Sequence, residues 1–384
     1  MASAVAPVTA ASAEGRVLEQ TDQKGASMTE RRVAIACQGG GSQCAFVAGA
    51  LKALLTPEAR KRYRLVGLSG TSGGAITAAL AWFGLLKQAQ GDATPVEDRV
   101  GAFWKDLSAQ TPQEIVVDGF CVQMMRLFEG GYLPGFMTSP ASPQFRLWSR
   151  LIAQMVGRPE FTDLRALLLK HLDFEALPSL VRRDSPILLV GAADVLEGTF
   201  KTFSSVRGEI GVDALLASAA VPTLFPAVWV ESHAYWDGIF SSNPPVTAFL
   251  RKAFMGDAPL PDEIWIVRIN PLGAALVPER PSDIVDRRNQ MAGNLSLEHE
   301  LKIIEITNLL IEERALTDEF RARIGMDAAN KITVRAISMS EAVLERMDYP
   351  SKLSRNPHHI SDLMADGEAQ AFGFLSALEQ APAH

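Results

Sequence analysis

At 384 residues the chain is long enough to bury a large core, as one big domain or two small ones. Apolar residues at 47% and charged residues at 21% describe an ordinary globular protein, and a net charge of −7 with no Lys/Arg-rich run argues against a nucleic-acid partner. Three cysteines, Cys37, Cys44 and Cys121, cannot form a disulfide framework. None of the six histidines shows metal-ligand spacing, so neither a metal nor a cofactor is expected.

Residues 1–30 are rich in Ala, Ser, Thr and Glu and lack the basic start and apolar block of a secretory signal. They read as a disordered tail, and Met28 offers a second start for translation. No apolar run approaches the roughly 20 residues of a membrane span. The first strand is Val33–Gln38, followed by Gly39-Gly40-Gly41-Ser42-Gln43-Cys44 and a helical stretch over 45–55. Strand, triglycine and helix together present backbone N–H groups to an anion. A dinucleotide phosphate is one candidate, but Cys44 stands where that fingerprint wants a small residue. The oxyanion of a tetrahedral intermediate, received by Gly40 and Gly41, is the favoured one.

Next comes the stretch around which the chain is organised, a strand leading into Gly70-Thr71-Ser72-Gly73-Gly74 and then a helix over 73–89. This fits the G-x-S-x-G elbow, in which a strained turn residue is exposed at the sheet edge and its neighbours lack a Cβ so that the backbone can close. Ser72 would sit at a helix N-terminus, which favours developing negative charge. Helices are expected over 96–108, 145–156 and 164–172. The Met- and Phe-rich stretch Ile115–Met137 reads either as a mobile cap lining an acyl-chain pocket or as ordinary core, with a hinge-like turn at 129–134.

A second strand group covers 185–194 and 199–203, joined at Glu197-Gly198, and is followed by a small-residue helix over 212–220. Tyr235-Trp236-Asp237-Gly238 puts a carboxylate on a tight turn, a fair place for a base and equally a common hairpin signal. Two further strands are expected at 263–269 and 331–338, with a long amphipathic helix between them over 297–324. A last helix is expected over 361–378, with Ser361 and Asp362 as capping candidates.

Four blocks in this order resemble the patatin-like phospholipase family: Gly39-Gly40-Gly41, Gly70-Thr71-Ser72-Gly73-Gly74, Ala217-Ser-Ala-Ala-Val-Pro222 with Phe225-Pro226, and Asp237-Gly238 with Asn243-Pro244. The resemblance spans roughly Val33 to Pro245. It implies an α/β fold, a three-layer α/β/α sandwich around a mostly parallel sheet with a helical C-terminal extension. The core would be residues 31–250, with 251–384 completing the same domain. It also implies a serine acyl hydrolase of phospholipase A or lysophospholipase type, acting in the cytoplasm or peripherally at a membrane. Carried onto this chain, Ser72 is the nucleophile, Asp237 the base, Gly39, Gly40 and Gly41 the oxyanion loop, and Gly70 and Gly74 the elbow. The substrate would be a lipid or acyl ester, with transient membrane-surface contact through Ile115–Met137.

The sequence departs from the family pattern in two places. Ser42, Gln43 and Cys44 stand where a residue, a basic residue and a glycine usually follow the triglycine, and Ile239 follows Asp237-Gly238 where Gly or Ala is usual. Gln38, Ala45, Phe46 and Gly49 match a bacterial subset that lacks the basic residue. Two other readings are a Ser-His-Asp esterase using His299, His358 or His359, and a non-hydrolytic binder of a dinucleotide or lipid.

Overall fold

The computed structural model describes residues 31–133, 140, 142–222, 224–274, 276–324 and 331–380. The expected tail at 1–30 and the end of the Met/Phe-rich stretch at 134–137 lie outside the described residues. The strands are β1 (Arg32–Cys37), β2 (Arg64–Thr71), β3 (Ile187–Asp194), β4 (Phe200–Ser204), β5 (Val228–Val230), β6 (His233–Asp237), β7 (Glu263–Arg268) and β8 (Thr333–Ser338). They form one sheet in the order β5-β6-β3-β2-β1-β7-β8, with β4 pairing off β3. The pairs from β3 through β2, β1 and β7 to β8 are parallel, while β4, β5 and β6 run antiparallel to their neighbours.

Both faces of the sheet are covered, which is why β1 is apolar at every position from Val33 to Cys37 rather than alternating. Val33, Ile35 and Cys37 join the core built on the helices Ala45–Leu54 and Gly73–Ala89, whereas Ala34 and Ala36 meet Leu297 and Ile304 of the helix Pro281–Glu312. The result is the α/β/α sandwich expected from the sequence. The last third of the chain supplies β7, β8 and the helix Pro357–Gln380, which crosses Ala45–Leu54 at very short range. A Cβ at Gly49 would lie 1.9 Å from the Met364 carbonyl oxygen, and one at Gly367 would lie 2.0 Å from that of Phe46.

Two helices depart from the sequence expectation by more than two residues. The long helix begins at Pro281, not near 297, because Pro at its first position and Asp283 in its first turn start it ahead of any apolar stripe. It ends at Glu312, where Arg314 takes a positive φ of 52°, and Thr317 caps a separate helix, Asp318–Ile324, by accepting from Phe320 N. The final helix starts at Pro357, and its cap is the Asn356 side chain, which accepts from His358 N and His359 N, rather than Ser361 or Asp362. Within the Met/Phe-rich stretch, Pro112–Glu129 is one helix closed at its start by a Thr111–Glu114 capping box.

The glycine crossing makes a stability prediction. Gly367→Val should cost about 1–3 kcal/mol or more of folding stability, read as a lower unfolding temperature, while the same change at the open Gly373 should cost little beyond helix propensity.

Candidate active site

Register brings the sequence-singled residues to one place. In the β1–β2 pair Cys37 lies opposite Gly70, so the loops after both strands, with Gly39 in one and Ser72 in the other, leave the same edge of the sheet. In the β2–β3 pair Thr71 lies opposite Gly191, and in the β3–β6 pair Ala192 lies opposite Asp237. Asp237 therefore reaches the level of Ser72 from two strands away, although 165 positions separate them in the numbering (237 − 72).

Ser72 is the turn residue of the elbow, with φ 57° and ψ −132°, a backbone conformation that a residue with a side chain adopts only at a cost. The surroundings hold it there. Its N–H donates to Ser218 Oγ at 2.9 Å, and Ser218 Oγ–H donates to Gly191 O at 2.7 Å, so one hydroxyl links the elbow to β3. Ser72 O accepts from Ile76 N and opens the helix Gly73–Ala89. The flanking glycines are required by space. A Cβ at Gly74 would lie 2.4 Å from Cys37 O, one at Gly70 2.6 Å from Ala75 N, and one at Gly39 2.3 Å from Thr71 O and 2.8 Å from Ser72 Cβ.

Asp237 is fully buried. One carboxylate oxygen, Oδ1, accepts from Ile239 N at 2.9 Å, while Oδ2 has no hydrogen-bond partner among the described residues. Burial pushes its pKa up to about 7, against the opposing pull of the Ser72 hydroxyl, the Ile239 N–H and the Lys352 ammonium. Ile239, the departure after Asp237-Gly238, serves the carboxyl through its backbone, and its side chain is buried. Gly238 lies against β3, where a Cβ would meet Gly191 at 2.7 Å.

The three glycines of the loop after β1 divide their tasks. Gly39 N–H is taken by Asn243 Oδ1 at 2.7 Å, so Gly39 positions the loop and is no free donor. The Gly40 and Gly41 N–H groups have no oxygen acceptor among the described residues, and the Gly40 amide lies beside the Cys44 sulfur. Gln38 is fully buried and fully used, accepting from Ile269 N and Asn270 N and donating to Gly293 O and Asn294 Oδ1.

Sequence reasoning missed Lys352. The residues in place of the family's basic residue bind a distant segment. Ser42 Oγ donates to Ser351 O at 3.0 Å, and Gln43 Nε2 donates to Ser351 Oγ at 2.9 Å and Asp348 O at 3.2 Å. That segment carries Lys352 behind the glycine loop. A Cβ at Gly41 would lie 2.2 Å from Lys352 O, and one at Gly40 would lie 3.6 Å from Lys352 Cε. The ammonium donates to Asn270 Oδ1 at 2.9 Å, and burial lowers its pKa to about 8 against the support of Cys44, Asp286, Asp237 and Glu129. Only a proximity invisible in a linear motif reveals it.

The histidines lie elsewhere. His299 and His358 are exposed. His359 neighbours Ser351 and Asp118, and His171 pairs with Asp106. His233 bonds Asp194 Oδ2 at 2.8 Å. With Glu197 these two form a carboxylate–imidazole trio on the β3–β4 and β5–β6 hairpins, where Asp194 Oδ1 also caps the turn N–H groups of Leu196 and Glu197. Among the described residues no histidine hydrogen-bonds to Ser72 or Asp237.

The buried carboxyl has a signature in stability. Its folded pKa of about 7 lies above the ordinary 3.8, so the native state holds a proton that the unfolded chain releases, and stability drains away as pH rises between those values. Asp237→Asn removes that loss. Its unfolding temperature should exceed wild type by a margin that grows from pH 4 to pH 7 and is constant above, as measured by scanning calorimetry across that range.

Residues 35–250 match the sequence model of the Patatin-like phospholipase family. No curated protein matches the chain. Among solved structures it is similar to VipD from Legionella pneumophila (12% identity, TM-score 0.38, covering 91% of this chain and 67% of that one). It is also similar to human GIVD cytosolic phospholipase A2 in complex with methyl gamma-linolenyl fluorophosphonate (14% identity, TM-score 0.40, covering 91% and 59%). A third is the type III effector ExoU of Pseudomonas aeruginosa (14% identity, TM-score 0.32, covering 90% and 52%). This chain thus spans little more than half the length of the last two. The assignment rests on the matched sequence, which covers more than half of this chain: it belongs to the patatin-like phospholipase family of lipid acyl hydrolases.

Proposed function

We propose that the chain cleaves fatty-acyl esters of lipids, as a phospholipase A or lysophospholipase, through a Ser72–Asp237 dyad. The observation that carries this reading is Asp237 Oδ2, a buried carboxylate oxygen without a hydrogen-bond partner among the described residues, on a carboxyl that feels the hydroxyl of a serine on a strained elbow. A carboxylate is ordinarily too weak a base for a hydroxyl, and burial brings it into the range where proton transfer at neutral pH is effective.

In the first half-reaction Asp237 Oδ2 takes the Ser72 proton as Oγ attacks the ester carbonyl carbon. The oxyanion of the tetrahedral intermediate is received by the Gly40 and Gly41 N–H groups, with the N-terminus of the helix Gly73–Ala89 adding its positive end. The intermediate collapses, the alcohol leaves with the proton from Asp237, and an acyl ester remains on Ser72. Water then gives its proton to Asp237 and attacks that ester, and the fatty acid leaves as Ser72 Oγ recovers the proton. Lys352 acts as a positioning residue in this scheme: its charge lies behind the glycine loop and holds the Asp237 pKa down.

Two experiments test the reading. A fluorophosphonate should label wild type and fail to label Ser72→Ala, and hydrolysis of a short-chain nitrophenyl ester should fall at least about 10³-fold in Ser72→Ala and about 10²–10⁴-fold in Asp237→Asn. Retained turnover in either variant rules the dyad out. The second is the pH profile. The acidic limb of kcat/KM should fall near pH 7, the value to which burial raises Asp237. Lys352→Met should move that limb to higher pH while Lys352→Arg keeps it in place. A limb unmoved by Lys352→Met would leave Lys352 with a packing role only.

A further inference from the structure

The helix Pro143–Val156 is locally cationic. Its sequence, PQFRLWSRLIAQMV, holds two arginines and no acid in a protein of net charge −7. At about 100° per residue, Leu147, Trp148, Leu151 and Met155 fall within one arc about 100° wide. All four face solvent, at 39% to 64% exposure, and so do Val116 and Phe120 on the neighbouring helix Pro112–Glu129. The Phe120 and Trp148 rings lie 6.4 Å apart, so the two helices share one apolar face. The adjoining side of the helix, with Ile152 and Val156, is already packed against Val117 and Phe161. The exposed side is therefore surplus to the fold.

Beside this face runs a groove of about 700 Å³ lined on one wall by Phe145, Arg146, Ser149 and Arg150 and on the other by Phe225, Pro226 and Trp236. Among the described residues neither arginine pairs with a carboxylate, and the one side-chain hydrogen bond made by either is from Arg146 Nε to Pro140 O. Trp236 is the neighbour of Asp237 on β6, so the groove adjoins the strand that carries the proposed base. Arginines flanking a stripe of Leu, Trp and Met are the layout of a helix that lies in a lipid interface, with aromatic and aliphatic groups among the acyl chains and guanidinium groups at the phosphates.

We propose that Pro143–Val156, with Val116 and Phe120 beside it, docks on an anionic phospholipid surface, and that Arg146 and Arg150 bind the phosphate oxygens of its head groups at the groove. This extends the expected membrane contact from Ile115–Met137 onto the following helix. It rests on the lipid-hydrolase reading only for the presence of a lipid surface in the reaction. The partner follows from the local charge: two unpaired arginines and no acid complement an anionic surface, whereas the chain as a whole is repelled by one.

Binding is measured by sedimentation of the full chain carrying Ser72→Ala with phosphatidylcholine vesicles, with and without phosphatidylglycerol. Because that variant carries no proposed nucleophile, binding is read apart from turnover. If wild type hydrolyses no ester, the proposed function fails and this inference stands or falls on the vesicles alone. The expected result is binding strengthened by phosphatidylglycerol and weakened by added salt. Arg146→Glu with Arg150→Glu should weaken binding to the anionic vesicles about tenfold or more and abolish the preference between the two vesicle types. Trp148→Ala with Leu151→Ser should weaken binding to both types. Unfolding temperatures of the variants, expected within a few degrees of the parent, show that the fold persists. Binding to anionic vesicles unchanged in the charge-reversed variant, or equal binding of the parent to both vesicle types, overturns the proposal.

Discussion

The site depends on three backbones packed closer than any side chain permits. The turn at Ser72, the loop at Gly39 and the first turn of the helix at Gly73 and Gly74 meet where a Cβ on Gly39 or Gly74 would approach a carbonyl oxygen to 2.3–2.4 Å. Removing the Cβ atoms lets β1 and β2 end side by side with their loops interlocked. The positive φ at Ser72 is then held by closed hydrogen bonding, through Ser218 to Gly191 on one side and into the following helix on the other. Strain at one residue persists because every neighbour is fixed. In the same crowded loop Gly39 gives its N–H to Asn243, while the next two amides have no oxygen acceptor among the described residues.

A second constraint is charge in a dry place. Asp237 is buried without a cationic hydrogen-bond partner, so its carboxyl titrates near neutrality, which is the property a carboxylate base needs. Lys352 is buried as well, and its pKa is drawn down to about 8. The two groups meet at a distance, without a direct ion pair, and each moderates the other's penalty. A direct pair would hold Asp237 ionised but would occupy Oδ2, the carboxylate oxygen that Ile239 N leaves free. Keeping the cation behind the glycine loop, on Asn270, leaves that oxygen free.

Residues whose conformation is set locally were legible in the sequence. Gly70, Ser72 and Gly74 form a contiguous turn, Asp237-Gly238 another, and the apolar run of β1 announced a strand covered on both faces. What could not be read was set by distance. Ser218 and Asn243 were visible only as members of short blocks, because their tasks are hydrogen bonds to Ser72 and Gly39 across the fold. Lys352 has no local signature at all. The two misplaced helix starts have a local cause: Pro281, Pro357 and Asn356 begin these helices by backbone geometry and capping, ahead of any apolar stripe.

The C-terminal third is thereby more than an extension of the sheet. The matched family region ends at residue 250, yet the wall behind the glycine loop is built from Ile269 and Asn270 after β7, Gly293 and Asn294 on the long helix, and Asp348 to Lys352. Gln43 stands where the family usually has a basic residue, and its amide ties down the segment that delivers a lysine to the same loop from the far end of the chain. That cation arrives by a tertiary contact, with Lys352 O and Cβ against Gly41 and Lys352 Cε against Gly40. It depends on the docking of residues 348–352, so the electrostatics of the site are coupled to the folding of the C-terminal third. A loosening there would be felt first as a change in the titration of Asp237, before any change in the elbow itself.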